Sequence, residues 1–224
     1  MRYLITQSLL GSWGYLFSCM EEYHDQAYED FLTTLRREKK ETTPEMQNGI
    51  DFENLVYEIA EGLYQPELEL GDPVRAMGDT VITQKYSYHK WYNGAKAVAT
   101  VIKGAQVQVK ASRELTVAGM DFLVYGILDA LKAGSIYDVK FLNKSFGSAE
   151  LAGKYLESPQ HHAYFYLIPE AVDFTYLVSD GQDLYTERYT PDMCKPFPDI
   201  VSQFIASITS MGLLDVYKEH WQAL

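Results

Sequence analysis

Two carboxylates and one amine lie close together near the middle of the chain. Asp129 precedes the dipeptide Ala133-Gly134, and Asp138 and Lys140 follow it. If that dipeptide is the turn of a hairpin, Asp129 lies directly opposite Asp138, with Cβ atoms about 4.5–5.5 Å apart. Side chains alternate along a strand, so Lys140 projects from the same face as Asp138. The spacing therefore predicts a patch of two carboxylates and one ammonium group.

Such a patch is suited to a hard divalent cation. Facing carboxylates raise one another's pKa, and apolar surroundings make the pair costly unless a cation is bound. Oxygen ligands select ions such as Mg²⁺ or Mn²⁺, which orient a water, lower its pKa and stabilise charge on a phosphate. Lys140 would hold the attacking water or a phosphate oxygen. The alternative is an exposed hairpin with an ordinary Asp–Lys surface pair. The apolar residues that flank the patch are Ile127, Leu128, Ile136 and Val139.

Alternating and helical patterns indicate an α/β (α+β) fold, with a central mixed sheet flanked by helices. We expect a single domain over residues 1–224, made of a helical part (1–65), a sheet core (66–190) and C-terminal helices (191–224). Strands are predicted at residues 105–115, 120–131, 135–141, 172–179 and 184–189. Helices are predicted at residues 8–17 (with Ser8 as N-cap), 20–37, 43–62, 82–102, 148–157, 159–168, 198–210 and 213–221, with a linker at 66–73.

Three short motifs stand in order along these elements. They are Gly126-Ile127-Leu128-Asp129, Asp138-Val139-Lys140, and Gln160 with Tyr164 on the following helix. This arrangement resembles the signature of PD-(D/E)XK nucleases, which have the restriction-endonuclease-like fold. It is most similar to the RecB-like branch, where lambda-type exonucleases and the nucleases of CRISPR adaptation carry G-x-x-D, D/E-x-K and Q-x-x-x-Y. The resemblance covers residues 49–179.

The resemblance implies a role for each matching residue of the central hairpin. Asp129 and Asp138 would be metal ligands, and the backbone carbonyl of Val139 would complete the site. Lys140 would be the catalytic lysine. The ion would be Mg²⁺ or Mn²⁺.

Residues on two helices would complete the site. Gln160 and Tyr164 are four positions apart and share a helix face, so they would contact the substrate strand or support the site; ordinary helix amphipathicity is the alternative. The family also carries an acidic residue or a histidine on an upstream helix. Glu53 fits that place, with Asp51 and Glu58 as competitors and a solvated helical glutamate as the plain interpretation.

Composition limits the other possibilities. Two cysteines, Cys19 and Cys194, are too few for a disulfide framework or for the four-cysteine iron–sulfur cluster of some RecB-like members, so we expect reduced thiols and no cluster. No P-loop motif for a nucleotide is present. A net charge of −12 argues against non-specific coating of nucleic acid. With no apolar run long enough for a membrane span, we expect a soluble cytoplasmic protein without a membrane partner.

Two further groups of residues have alternative interpretations. The neighbouring pair His161-His162 should point to different faces of a helix, which disfavours a zinc site there. A run of aromatic residues in the helix predicted at 82–102 belongs either to the core or to a surface on which bases stack. These residues are Tyr86, Tyr88, Trp91 and Tyr92.

The motifs and the resemblance together predict a metal-dependent deoxyribonuclease. The chain has no obvious separate recognition domain, and the resemblance implies a role in recombination, repair or phage DNA processing, so we expect an exonuclease rather than a sequence-specific endonuclease. DNA would be its substrate, and an oligomer or a recombination partner would help to build the DNA channel. Two alternatives remain from the sequence. One is a non-catalytic nucleic-acid-binding module that keeps the fold, and the other is a structural subunit of a larger complex.

Overall fold

The computed structural model describes residues 1–76 and 79–223. Its strands are β1 (Arg2–Thr6), β2 (Glu67–Ala76), β3 (Asp79–Ser87), β4 (Gln106–Val117), β5 (Met120–Lys132), β6 (Ser135–Phe141), β7 (Asp173–Ser179) and β8 (Leu184–Tyr189). Its helices are α1 (Gln7–Ser18), α2 (His24–Leu35), α3 (Pro44–Ala60), α4 (Tyr92–Ile102), α5 (Ser148–Leu151), α6 (Pro159–Leu167), α7 (Phe197–Ser210) and α8 (Leu214–His220).

Six strands form a mixed sheet, which confirms the predicted fold class. The order is β1-β5-β6-β7-β8, and β4 pairs with β5. The β1–β5 and β6–β7 pairs are parallel, and β4–β5, β5–β6 and β7–β8 are antiparallel. Strand β5 is therefore the centre of the sheet, because three other strands pair with it.

One edge of β5 is shared by two strands, with a gap between them. The ladder to β1 runs along β5 from Asp121 to Tyr125. The ladder to β6 occupies only Ala130 to Lys132. Residues 126–129, which are the whole Gly-Ile-Leu-Asp motif, lie between the two ladders. On this edge, side chains of α3 and α6 reach the backbone of the stretch, whereas its other edge pairs with β4.

The β5–β6 hairpin has the predicted turn and register. Its ladder pairs Ala130 with Tyr137. Ala133 and Gly134 both have positive φ, 51° and 83°, as the primed turns of two-residue hairpins require. Asp129 and Asp138 are the first residues beyond this ladder, so both carboxylates stand where the two strands separate.

Helices cover both faces of the sheet. On one face a large apolar cluster joins α1, α2, α6 and α7 to residues such as Leu128, Ile136 and Tyr176. On the other, a smaller cluster packs α3 and α4 on Ala130 and Val139. Alternate residues of β6 thus enter opposite layers. Asp138, between them on the larger-cluster face, is only 3% exposed.

The predictions of a linker at residues 66–73 and of a helix that starts at residue 82 were wrong. A separate two-stranded sheet, β2 with β3, occupies this region, and helix α4 begins only at Tyr92. Pro73 suggested an interruption, but a register shift between Leu70 and Pro73 accommodates it within the hairpin. The exposed side chains of Tyr86 and Tyr88 contradict a core role for those two residues, whereas Trp91 and Tyr92 are half-buried.

The part predicted as helical, residues 1–65, also contains a strand. Strand β1 was missed because its five residues form a strand only by pairing with β5, more than a hundred residues away. It moves the cap of α1 from Ser8 to Thr6, whose Oγ1 accepts a hydrogen bond from the Leu9 amide at 3.3 Å. Thr43 caps α3 as expected, with Pro44 in its first turn.

Two other predicted helices are shorter than expected. The one predicted at residues 20–37 begins as a 3-10 turn, Glu21–Tyr23, before α2. The one predicted at 148–157 ends as α5 at Leu151, because Gly153 turns the chain with φ of 76°. Among residues 1–76 and 79–223, no single helix is long and apolar enough to cross a membrane, although the bent pair Pro191–Ser210 and Leu214–His220 together meets the criteria of length and composition.

Candidate active site

The carboxylate of Asp138 is held from two sides. The Lys140 ammonium lies 2.7 Å from its Oδ2, so the two residues share a face as the sequence predicts. Gln160 Nε2, from the first turn of α6, donates a hydrogen bond to Oδ1. Gln160 is 5% exposed and Asp138 3%. The buried carboxylate therefore has one charged and one neutral partner, which fix its orientation.

Asp129 stands beside this pair at the gap in β5. Its Oδ2 accepts the Val139 amide hydrogen at 2.8 Å. Burial, followed by the negative charges of Asp138 and Glu53, raises the pKa of Asp129 from 3.8 to about 8. The hydrogen bond from Val139 and the charge of Lys140 act in the opposite direction but are smaller. Burial and the neighbouring carboxylates therefore disfavour the charged form of Asp129, and a bound cation would relieve that cost.

Helix α3 contributes a third acidic residue to the same place. Glu53 Oε1 accepts hydrogen bonds from the Tyr57 hydroxyl at 2.5 Å and from Gln108 Nε2 at 2.8 Å. Tyr57 also reaches the Asp129 carbonyl at 3.3 Å. Of the three acidic candidates on this helix, the structure brings Glu53 to the site. Asp51 and Glu58 are exposed.

The glycine of the first motif makes room for the tyrosine of the third. The Tyr164 hydroxyl donates to the Ile127 carbonyl at 2.6 Å, inside the gap of β5. A Cβ atom at Gly126 would lie 2.6 Å from Tyr164 Cε1, closer than carbon atoms can pack. The two motifs are thus parts of one contact, in which the ring of Tyr164 lies over the bare backbone of Gly126.

Charge in this cluster is unbalanced. Three carboxyl groups, those of Glu53, Asp129 and Asp138, face a single ammonium group. Burial would lower the pKa of Lys140, but the charges of Asp138 and Asp129 outweigh burial and raise it, so Lys140 stays protonated at neutral pH. The oxygen-rich, excess-negative donor set fits Mg²⁺ or Mn²⁺, with Asp129, Asp138 and Glu53 as the residues that would hold it.

Three residues near the site were not anticipated. Tyr57 and Gln108 hold Glu53. Burial raises the pKa of Tyr155, and the charges of Lys140 and Asp138 also act on it, so its ring lies close to both. The sequence contains features that could have predicted the roles of Tyr57 and Gln108. Tyr57 is four positions after Glu53 on a helix. Gln108 lies opposite Asp129 if Ala118-Gly119 is read as a turn, and it has a positive φ of 52°, an uncommon conformation that is often found at functional sites.

A second cluster, of side chains of metal-ligating type, includes two residues of α6. One ring nitrogen of His161, one of His162 and Sγ of Cys194 all lie within 4.8 Å of one another. The expectation that the two histidines point apart was wrong, since their ring centroids are 4.2 Å apart. Neighbouring residues on a helix diverge by about 100° at Cα, but rotation about the side-chain bonds brings the rings together. The carboxylates of Glu53, Asp129 and Asp138 do not form a second group this tight among the described residues.

Comparisons with other proteins show distant similarity only. No family model and no curated protein matches the sequence. The solved structure of SSO0001 is similar with a TM-score of 0.48 and 14% identity, over 94% of this chain and 77% of that one. Rai1 of Scheffersomyces stipitis is similar with a TM-score of 0.36 and 11% identity, over 93% of this chain and 61% of that one. Similarity this distant assigns no activity to the chain.

Proposed function

We propose that the protein is a metal-dependent nuclease that hydrolyses phosphodiester bonds of DNA. The observation that carries the proposal is the buried Asp138 carboxylate, held by Lys140 and Gln160, beside an Asp129 whose pKa is raised to about 8. Purely structural carboxylates are normally neutralised by their partners. Here the mutual repulsion of three carboxyl groups, which adds to burial in raising the pKa of Asp129, is the cost that a bound cation would relieve.

Each residue has a role that follows from its contacts. A bound Mg²⁺ or Mn²⁺ would supply Lewis-acid stabilisation of the phosphate and a water of lowered pKa. Asp129 and Asp138 would hold it, with Glu53 and, by resemblance, the Val139 carbonyl. Lys140 remains a cation, so it stabilises developing negative charge on the phosphate rather than removing a proton. Gln160, Tyr57 and Gln108 orient the carboxylates.

We further propose an exonuclease of the RecB-like branch of PD-(D/E)XK nucleases, with recombination, repair or phage DNA processing as its setting. The motif order on β5, β6 and α6 supports this finer assignment. The net charge of −12 makes tight, unassisted binding of DNA unfavourable. We therefore propose that an oligomer or a partner protein supplies part of the DNA channel.

The deciding experiment is the cleavage of end-labelled linear DNA and closed circular DNA, with Mn²⁺, Mg²⁺ or EDTA. We expect metal-dependent loss of the linear substrate alone, reduced about 10³-fold or more in Lys140→Ala, because removing one charge-stabilising donor costs a factor of this order. Lys110→Ala, at an exposed lysine of β4, is the matched control and should retain activity.

Other outcomes would revise the proposal at different levels. Nicking of the circle would make the protein an endonuclease. An unchanged rate in Lys140→Ala would exclude this site. Absence of cleavage by folded wild type in either metal would favour the binding module or the structural subunit.

A further inference from the structure

A buried nitrogen without a partner marks a second site, distinct from the carboxylates. His161 is 0% exposed, and among the described groups its Nε2 has no hydrogen-bond partner. Such an orphaned polar atom in the interior is costly. The nearby His162 ring and the Cys194 thiol, with ligand atoms within 4.8 Å, are the side chains that could share an ion with it.

In both histidines Nδ1 makes the hydrogen bond, which leaves Nε2 free. His162 Nδ1 lies 3.1 Å from the Ser158 carbonyl. A carbonyl only accepts, so Nδ1 carries the hydrogen and Nε2 keeps its lone pair. His161 Nδ1 is engaged with the Tyr176 hydroxyl at 3.1 Å. Metal-ligating histidines typically have this arrangement, with the second nitrogen held by a carbonyl or hydroxyl.

We propose that His161, His162 and Cys194 bind one zinc ion. Two imidazoles and a thiolate are ligands of a borderline-soft cation, not of Mg²⁺. Zinc bond lengths of about 2.0–2.3 Å in a tetrahedral site place ligand atoms ~3.3–3.7 Å apart, so a closing movement of about 1 Å completes the site. Burial lowers the pKa of His161 to about 3, which keeps the ring in the neutral, ligating form.

A fourth ligand can come from solvent. His162 lines a cleft of about 620 Å³ together with Trp13, Glu157 and Lys195, so a water has access to the ion on that side. Burial raises the pKa of the Cys194 thiol to about 11. The thiol is therefore protonated before the ion binds, and its proton passes to solvent when the thiolate bond forms.

The ion would stabilise the helix that carries Gln160. Cys194 ends the 3-10 turn Pro191–Met193, between β8 and α7, whereas both histidines belong to α6. Zinc would thus join two segments more than thirty residues apart and restrain α6 beside the carboxylate cluster. This is a structural role, which goes beyond the proposed nuclease activity and does not depend on it.

Cobalt(II) titration of the metal-free protein tests the site directly. Tetrahedral cobalt bound to a thiolate has intense d–d bands and a sulfur-to-cobalt charge-transfer band, which carboxylate sites lack. We expect both bands to saturate at one ion per chain and to disappear on addition of zinc. Cys194→Ser should abolish the charge-transfer band and weaken zinc binding at least ~100-fold.

The second cysteine provides a matched control. Cys19 lies outside the cluster, so Cys19→Ser should retain both bands. Asp129→Asn should retain them too, which separates this proposal from that of the nuclease site. Loss of the band in Cys19→Ser with retention in Cys194→Ser would overturn the assignment, as would absence of the band in wild type.

A measurement on the wild-type protein avoids the risk that a variant misfolds. Iodoacetamide labelling, followed by mass spectrometry of the two cysteine peptides, should show that zinc slows alkylation of Cys194 at least ~10-fold and leaves Cys19 unchanged. Equal labelling of Cys194 with and without zinc would contradict the proposal.

Discussion

Two clusters of buried polar side chains, both of which include residues that contact or belong to α6, differ in how their charge is controlled. In one, the carboxyl groups of Asp138, Asp129 and Glu53 repel one another, which adds to burial in raising the pKa of Asp129, and Lys140 offsets part of that repulsion. In the other, burial lowers the pKa of the His161 ring and raises that of the Cys194 thiol, which favours the neutral form of both groups. On the function proposed above, the first cluster would attract a hard cation by charge. The second cluster offers the nitrogen and sulfur lone pairs of neutral side chains.

The two clusters also differ in how far they are assembled. The histidine–cysteine group has its ligand atoms within 4.8 Å, and the three carboxylates are less tightly grouped among the described residues. Like charges resist close approach until a cation is present, whereas neutral rings do not. On our two proposals, the carboxylates would draw together around their cation, whereas the histidine–cysteine group would need only a movement of about 1 Å, so the two should respond differently to substitutions.

The largest expected effect separates the two clusters completely. Asp138→Asn removes a charge but keeps an acceptor for Gln160, and should lower DNA cleavage about 10³-fold or more because the hard-ion site loses a ligand. The cobalt–thiolate band of this variant, which reports on the second cluster, should be unchanged. Asp51→Asn, at an exposed acid of α3, is the control. Cleavage assays and absorbance spectra on the same preparations decide the comparison, and a parallel loss of both signals would show a single coupled site.

The next prediction concerns how the stability of the metal-free protein depends on pH. The folded state raises the pKa of Asp129 to about 8 from 3.8, so it binds more protons than the unfolded state between these values. The contribution of Asp129 to stability is therefore highest at the acidic end and falls as pH rises toward 8. Asp129→Asn removes that fall and should be more stable than wild type at pH 9, by on the order of 3 kcal/mol.

Urea denaturation across the pH range, with EDTA present, measures this difference. Adding Mg²⁺ should stabilise wild type at pH 9 but not the variant. If the two proteins had parallel pH profiles, the raised pKa of Asp129 would be incorrect.

A smaller effect tests the close contact at the gap in β5. Gly126→Ala places a Cβ against the Tyr164 ring and should destabilise the protein by about 1–3 kcal/mol through overpacking. Gly49→Ala is the matched control, because a Cβ there meets nothing within 4 Å inside helix α3. The control should be neutral or stabilising by up to ~1 kcal/mol. Thermal unfolding distinguishes them, and equal stability of the two variants would refute the packing argument.

The smallest effect concerns the support of Glu53. Tyr57→Phe deletes a hydroxyl that donates to Glu53 and should reduce cleavage only a few-fold, since Gln108 still holds the carboxylate and one hydrogen bond contributes about 1 kcal/mol. The Mn²⁺ concentration for half-maximal activity should rise by a similar factor. A loss as large as that of Asp138→Asn would mean that Tyr57 itself touches the substrate or the ion.

Local sequence patterns predicted the parts of the candidate site that lie on the β5–β6 hairpin and on helix α6. The Ala133-Gly134 turn sets the β5–β6 register, and period-two alternation puts Lys140 on the face of Asp138. Spacing by four likewise placed Gln160 and Tyr164 on one side of α6, where they contact Asp138 and β5. These relations depend only on short-range geometry. The metal ligands, the cofactor and the partners inferred from the resemblance stay predictions.

By itself, then, the sequence determined the hairpin, the order of the motifs and the mixed α/β class. Only the tertiary structure decided that β1 and β6 share one edge of β5 and leave residues 126–129 between them. It alone brought Cys194 to His161, and Gln108 to Glu53. The physical reason is that these contacts join segments tens of residues apart, whose approach is governed by core packing on the two faces of the sheet rather than by local propensity.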